Sequence, residues 1–199
     1  MDNRLLNGER VYLRPFEERD AGILACLYHE EPDTSPFYGG RQPLSPLLFR
    51  QQFTSWHASA PPESVHLAVC LLEGGALIGW VSLWSVDYVN QTAESASFIL
   101  PDFRARGYGT EAKHLLLGYA FEQLQLRVIT GTVVDTNARS QNALLRQGYQ
   151  PAGRLHWTHT KDGRYGDTML FDLTREDWLA AHAAWRHRRS TARDTETIK

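Results

Sequence analysis

The sequence predicts a single α+β domain built on a mixed, mostly antiparallel central sheet of about seven strands flanked by helices. Three observations predict this class. The chain has 199 residues, 42% of them hydrophobic, which is enough for one core. A meander of apolar strands fills its middle, and a strand, a glycine-bearing turn and a helix follow. We expect the domain over residues 1–180 and a basic, frayed tail over 181–199.

Strand patterns alternate with turn signals along the first half of the chain. Residues 10–16 alternate apolar and polar side chains and predict a strand, and the acids at 17–20 suit the start of a helix. Residues 65–72 and 76–84 are apolar runs, and the Glu-Gly-Gly sequence at 73–75 predicts that they form a hairpin.

The segment 29–62 differs in composition from the rest of the chain. Its six prolines exclude long regular elements, so a helix is expected only within 44–56. Its acids and aromatic residues are candidates for recognition of an amine, and a solvated loop is the alternative. The candidates are Glu30, Glu31, Asp33, Phe37, Tyr38 and Trp56.

The turn at 104–110 is the strongest site signal. It joins a strand predicted at 95–100 to an amphipathic helix with an apolar stripe. Glycines at the mouth of a helix let the backbone approach a ligand and direct N–H groups at it, which indicates a phosphate site. Neither a P-loop lysine nor a third glycine at Rossmann spacing is present. A tight connection with solvated arginines is the alternative. The turn consists of Arg104, Ala105, Arg106, Gly107, Tyr108, Gly109 and Thr110.

The second half predicts a buried strand, a capped helix and a hairpin. Residues 128–134 are rich in β-branched side chains, as in a strand covered on both faces. Asn137 is placed to cap a helix that ends at Gly148. Asp-Gly at 162–163 predicts a turn between strands at 155–160 and 167–173.

These motifs resemble those of the GNAT superfamily of N-acetyltransferases. Arg-x-x-Gly-x-Gly at 104–109, with Glu94 ahead of it, resembles the acyl-CoA motif, and Asn137-x-x-Ser140-x-Asn142 resembles the later motif. The start and the end of the matching region resemble those of the RimJ/RimL branch; they lie at residues 13–16 and 162–178. The resemblance covers residues 5–178.

The resemblance implies transfer of an acetyl group from acetyl-CoA, as cosubstrate, to a primary amine by direct attack in a ternary complex. The acceptor is a protein N-terminus or a small amine. A non-catalytic acyl-CoA sensor or interaction module is the alternative. The residues implied in coenzyme A binding are Phe98, Ile99, Leu100, Arg104, Ala105, Arg106, Gly107, Tyr108, Gly109, Thr110, Asn137, Ser140 and Asn142.

Two residues are the predicted catalytic groups. An amine attacks a thioester only when neutral, so a base is needed, and Glu94 is the candidate, with a solvated strand-edge carboxylate as the alternative. A backbone N–H near 98–100 is the candidate hydrogen-bond donor to the developing oxyanion. Ser140 is the candidate donor to the leaving thiolate. No tyrosine acid occurs between Ala138 and Gln147. The small side chains at 95–97 predict a widened acceptor cleft.

Charge and composition limit the partners. A net charge of -2 and a pI near 6.4 argue against DNA or a membrane surface. Two cysteines form no disulfide framework, and the first residues form no signal peptide, so a cytoplasmic protein is expected. His156 and His159 are expected to be ordinary strand residues, and no metal is expected. Apolar strands at the end of the sheet are compatible with a homodimer.

Overall fold

The computed structural model describes residues 3–30, 45–56, 60–161 and 163–197, apart from the side chains of residues 26–30, 161 and 192–197. The strands are β1 (Leu6–Asn7), β2 (Val11–Pro15), β3 (Val65–Leu71), β4 (Leu77–Asp87), β5 (Thr92–Ile99), β6 (Val128–Val134), β7 (Gln150–Lys161) and β8 (Arg164–Thr174). The helices are α1 (Asp20–Glu30), α2 (Pro46–Trp56), α3 (Tyr108–Gly118), α4 (Ala138–Arg146) and α5 (Arg175–Thr197). A 3-10 turn, Pro101–Phe103, precedes α3, and a π-helical turn, Tyr119–Gln123, follows it.

The strands form a mixed sheet in the order β1-β2-β3-β4-β5-β6-β8-β7. β5 and β6 are parallel, with Glu94 opposite Thr130, whereas β2 pairs antiparallel with β1 and β3, and β8 with β6 and β7. The predicted α+β class is therefore confirmed. The sheet has eight strands rather than about seven, because the two-residue β1 is too short to leave a pattern in the sequence.

The described residues divide into two compact units. The first lies within Met1–Leu83 and Ser97–Ala112, and the second within Trp84–Ala96 and Lys113–Lys199. β4, β5 and α3 each contribute residues to both units.

The first unit is built around β2, whose Val11 and Leu13 are completely buried. At its end, the Arg14 guanidinium donates to both carboxylate oxygens of Asp20, at 2.7 and 2.8 Å. Asp20 also accepts the Glu17 N–H at 2.7 Å, which fixes the start of α1. The predicted β3–β4 hairpin is confirmed, with Gly74 and Gly75 both at positive φ in its turn.

The second unit is built around β6, which lies between β5 and β8. The predicted cap of α4 is confirmed, since Asn137 Oδ1 accepts the Ser140 N–H at 3.1 Å. Gly148, at φ 101°, follows the helix. The predicted two-residue turn is also confirmed, because Lys161 pairs with Arg164.

The helix α5 has no counterpart in the sequence-based prediction. Trp178 is buried against Phe121, with ring centroids 5.5 Å apart, and His182 stacks between Trp178 and His114 at 5.1 Å from each. The spacing of Trp178, His182 and Trp185 places all three on one helix face. The predicted boundary between the domain and the C-terminal tail, at residue 180, remains a prediction. The helix α5 continues across that position without a break.

The predicted amine-recognition residues are only partly visible. Glu31, Asp33, Phe37 and Tyr38 lie outside the described residues, as does the side chain of Glu30. Trp56 stacks on His66 with ring centroids 3.7 Å apart, so its ring belongs to an aromatic cluster of the first unit. In the described parts of the chain, no helix is long and apolar enough to cross a membrane.

We expect Gly79→Ala to lower the free energy of unfolding by about 2–3 kcal/mol. A Cβ at residue 79 would lie 2.2 Å from the Phe98 carbonyl oxygen, so the end of β5 would have to move. Thermal or denaturant unfolding measures the effect. Gly22→Ala is the matched control, because no atom lies within 4 Å of a Cβ there, and a helical alanine is expected to be neutral or stabilising. Equal stabilities for the two variants would contradict the expectation.

Candidate active site

The turn at 104–110, here called the phosphate loop, presents backbone N–H groups at the start of α3. Ala105 and Gly107 adopt positive φ, at 59° and 82°, which turns the chain sharply into the helix. The Glu111 N–H donates to the Gly107 carbonyl at 3.1 Å. The N–H groups of Tyr108, Gly109 and Thr110 precede that bond and have no acceptor within the helix. Such a turn is suited to bind an anion, as the sequence predicted.

Arg104 secures this loop to the end of β5. Its Nε donates to the Ile99 carbonyl at 2.7 Å, and its guanidinium lies 5.4 Å from the centre of the Phe98 ring. Its backbone N–H donates to the Pro101 carbonyl at 3.1 Å. Within the predicted coenzyme-binding set, Arg104 therefore has a structural task that the sequence did not indicate.

The strand end at 98–100 contains the predicted oxyanion donors. The Leu100 N–H already donates to the Ile78 carbonyl at 2.9 Å, so it is engaged in the sheet. The Leu100 N–H is therefore the least suitable of the predicted oxyanion donors, and the role of an N–H at 98–100 stays a prediction.

Glu111, in the first turn of α3, is a site-building residue that sequence reasoning missed. Its carboxylate is buried and accepts the N–H groups of Glu9 at 2.7 Å and Arg10 at 2.8 Å. Arg10 Nε also donates to it at 3.2 Å. The same guanidinium donates to the Arg106 carbonyl at 2.9 Å and lies 4.9 Å from the centre of the Tyr108 ring. The Arg10–Glu111 pair thus holds the middle of the phosphate loop, at Arg106, and the first turn of α3 that follows it.

In the second unit, Glu94 is half-buried on β5. Its Oε1 accepts a hydrogen bond from Thr132 Oγ1, on β6, at 2.6 Å. This bond orients the carboxylate through a neutral hydroxyl rather than through a cation. A carboxylate held in this way is suited to accept a proton.

The later motif forms the first turn of α4. Ser140 is half-buried, and its N–H is held by the Asn137 cap, while Asn142 is exposed. The cap fixes the backbone from which the Ser140 hydroxyl projects. Glu94, Asn137, Ser140 and Asn142 belong to the second unit, whereas the residues of 98–110 belong to the first.

Ser95 corrects one expectation. Its side chain is buried, and its Oγ lies 2.6 Å from the Tyr149 hydroxyl oxygen. It therefore points away from Glu94 and does not widen an acceptor cleft. Adjacent strand residues face opposite sides of a sheet, whereas Ala96 shares the face of Glu94, so at that position the wider cleft stays a prediction.

Of the two hairpin histidines, His156 contacts an acid, Asp167, and His159 pairs opposite Gly166 in the β7–β8 ladder. His156 Nδ1 and the Trp157 N–H lie 3.2 and 2.9 Å from the Asp167 carboxylate, and Arg154 is bonded to it as well. These donors hold the pKa of Asp167 below its usual value, the Trp157 N–H most strongly. Among the described residues, no group of three potential ligands is placed to hold a metal ion.

We expect Glu111→Ala to destabilise the fold by about 1–3 kcal/mol and to weaken coenzyme A binding, because three part-buried donors lose their acceptor. Thermal unfolding and calorimetric titration with coenzyme A measure the two effects. Glu122→Ala, at an exposed acid in the following turn, is the matched control. Glu111→Gln, which keeps one acceptor oxygen, provides a folded intermediate case. Unchanged affinity in both Glu111 variants would contradict a role in shaping the phosphate loop.

Residues 10–150 match the Acetyltransferase (GNAT) domain family. The Bacillus subtilis (strain 168) protein YdaF, assigned as a ribosomal N-acetyltransferase, is 26% identical over 183 residues, which cover 85% of this chain and 94% of that one. The spermidine N(1)-acetyltransferase of Escherichia coli (strain K12) is 23% identical over 173 residues, which cover 86% of this chain and 90% of that enzyme.

Solved structures share the fold. RimJ of Mycobacterium smegmatis in complex with CoA-disulfide has a TM-score of 0.78 at 23% identity, with 90% of each chain covered. Spermidine N-acetyltransferase from Vibrio cholerae in complex with CoA and spermine has a TM-score of 0.77 at 21% identity, covering 86% of this chain and 99% of that one. The resemblance seen in the motifs is confirmed: the chain belongs to the GNAT acetyltransferase family and is an acetyl-CoA-dependent N-acetyltransferase.

Proposed function

We propose that this enzyme acetylates a primary amine by direct attack on acetyl-CoA, with Glu94 as the base and Ser140 as the donor to the leaving sulfur. The observation that carries the proposal is the Glu94 carboxylate, which Thr132 orients through a neutral hydroxyl. The phosphate loop supports the cosubstrate assignment, because its N–H groups suit the pyrophosphate of coenzyme A.

The reaction needs an amine without its proton. An alkylammonium with a pKa near 10.4 is almost entirely protonated at pH 7, so a base raises the fraction that reacts. The nitrogen forms a bond to the acetyl carbonyl carbon, the carbon–sulfur bond breaks, and the proton that the amine loses passes to Glu94. A hydrogen bond from the Ser140 hydroxyl stabilises the leaving thiolate.

The relatives suggest two classes of acceptor for this site. One is a polyamine, since a spermidine N(1)-acetyltransferase is among them, and the other is a protein N-terminal amine, since YdaF is assigned to ribosomal substrates. Both are primary amines, and both fit the proposed chemistry.

Thiol release from acetyl-CoA, measured across polyamines, N-terminal peptides, aminoglycosides and amino acids, tests the proposal. We expect turnover with one class, a loss of about 10²–10⁴-fold in kcat for Glu94→Gln, and about tenfold for Ser140→Ala. Calorimetry with coenzyme A should show unchanged affinity for Glu94→Gln. Binding of coenzyme A without turnover on any amine would instead favour the acyl-CoA sensor. Full activity of the Glu94→Gln variant would exclude Glu94 as the base.

We propose a cytoplasmic location and a homodimer as the state of the enzyme. The buried free thiol of Cys70 supports a reducing compartment. β7 is the last strand of the sheet, and its hairpin exposes Trp157 and Tyr165, with side chains 77% and 74% accessible and ring centroids 6.4 Å apart. Exposed edge strands with apolar side chains favour pairing with another chain.

We expect a solution mass of about twice the 22.7 kDa of one chain by light scattering. Trp157→Lys together with Tyr165→Lys should reduce the mass to that of one chain, because charges are placed on the pairing surface. Val89→Lys is the control, since Val89 is a highly exposed apolar residue away from this hairpin in sequence. A single-chain mass for the unmodified protein would contradict the dimer.

A further inference from the structure

His114, on α3, is a buried histidine with no role in the chemistry described above. It is 3% exposed, and among the described residues neither of its ring nitrogens has a hydrogen-bond partner. A neutral imidazole carries one N–H donor and one acceptor nitrogen, and leaving both unsatisfied costs free energy. Contacts other than hydrogen bonds therefore hold this ring in place.

Those contacts come from α5. The His182 ring is stacked on His114, with ring centroids 5.1 Å apart and an angle of 23° between the planes, and the Trp185 ring lies 4.7 Å from His114. His182 and Trp185 are themselves 5.6 Å apart, on one face of the helix. These three residues, here called the histidine stack, join α3 to α5 from His182 onward within the second unit.

The start of α5 is held by contacts that involve no histidine. Trp178 is 1% exposed and lies 5.5 Å from the Phe121 ring. The backbone at Gly148 approaches the helix so closely that a Cβ there would lie 3.0 Å from the Ala181 Cβ. The first two turns of α5 are thus anchored independently of the histidine stack.

Charged groups act on the stack from α5, α3 and the π-helical turn, and most of them are cationic. A protonated His114 would be a buried cation without a hydrogen-bond acceptor in these surroundings, which is costly. Burial is accordingly the main cause that lowers the pKa of His114, to about 3, and that of His182. The charged groups are Arg186, Arg188 and Arg189 on α5, Lys113 on α3 and Glu122 in the π-helical turn.

We propose that the histidine stack is an acid-sensitive latch: α5 stays docked while both histidine rings are neutral, and protonation releases the helix from His182 onward. The first two turns remain in place, because Trp178 and Ala181 hold them. An isolated helix of about 15 residues is marginal in water, so the released segment also unfolds.

Proton linkage gives the direction of the pH dependence. Once α5 is released, both histidines recover a pKa near the ordinary 6.5, whereas in the docked form the two values are lowered. The released form therefore binds more protons below pH 6.5, so docking is fully favoured above that pH and weakens as the pH falls. Between pH 7 and 5, His114 alone raises the ratio of released to docked helix about 25-fold, and His182 adds to this.

Hydrogen exchange followed by mass spectrometry tests the latch without any turnover. Amide protection over residues 186–190, corrected for the intrinsic exchange rate at each pH, should fall at least about 25-fold between pH 7 and 5. In the double variant His114→Phe with His182→Phe it should stay nearly constant, because the stack is kept and can no longer be protonated. His187→Phe, which removes an exposed histidine of the same helix, is the matched control and should respond like the wild type.

Three results would overturn the latch. One is wild-type protection over 186–190 that does not change with pH, and another is an equal fall in the double variant. The third is protection over 186–190 equal to that of β6, because the whole fold would then open together.

A second measurement uses the wild type alone and decides the matter if the double variant does not fold. The chain has eight histidines, so carbon-13 histidine labelling gives few ring signals. The His114 ring should keep the chemical shift of a neutral imidazole at pH 6, where an exposed histidine is mostly charged. A His114 ring that becomes charged near pH 6.5 while residues 186–190 stay protected would contradict the latch.

Discussion

The phosphate loop depends on one buried carboxylate, that of Glu111. A buried charge is tolerated only when donors replace the water it loses, and here two backbone N–H groups and the Arg10 guanidinium do so at 2.7 to 3.2 Å. Because Arg10 also donates to the Arg106 carbonyl, the same interaction joins the turn before β2 to the middle of the loop. The loop can therefore adopt positive φ at Ala105 and Gly107 without relying on a ligand for its shape. The N–H groups at 108–110, in the first turn of α3, have no acceptor within the helix.

Glu94 and Glu111 are the same type of residue in different surroundings. Glu111 is almost inaccessible and surrounded by donors, which fixes it as an anion that stabilises the fold. Glu94 is half-buried, and the neutral Thr132 hydroxyl orients it. Hydrogen bonds to the charged form make a carboxylate a weaker base, so a site with fewer such donors is better suited to take a proton. In α4 the Asn137 amide oxygen holds the Ser140 backbone N–H, so the cap itself does not use the Ser140 hydroxyl.

Local patterns predicted the features that neighbouring residues determine. The glycine loop, the Asn137 cap and both hairpin turns depend on a few consecutive residues, and the structure contains all of them. Glu111 was missed because its donors are about a hundred residues away in sequence, where no local pattern reaches. Lys113 left a signal that went unused: it lies next to Ala112 and three residues before Leu116, within the apolar stripe of α3. Ser95 was misjudged because the face of a strand residue depends on register, which composition does not show.

The helix α3 contains three buried polar side chains, and each compensates differently for the loss of hydration. They are Glu111, Lys113 and His114. Glu111 keeps its charge because N–H groups solvate it. His114 gives up its charge: it stacks on His182 and Trp185, and in the described part of the chain neither ring nitrogen has a hydrogen-bond partner. Lys113 lies between these cases: the Tyr149 ring is beside it, and burial lowers its pKa to about 7, so its charge can change near neutral pH. A helix core that needed only packing would be served by leucine at all three positions. At Glu111 the reason is visible in the structure: its fixed charge holds the N–H groups of Glu9 and Arg10 beside the phosphate loop, which an apolar side chain could not do.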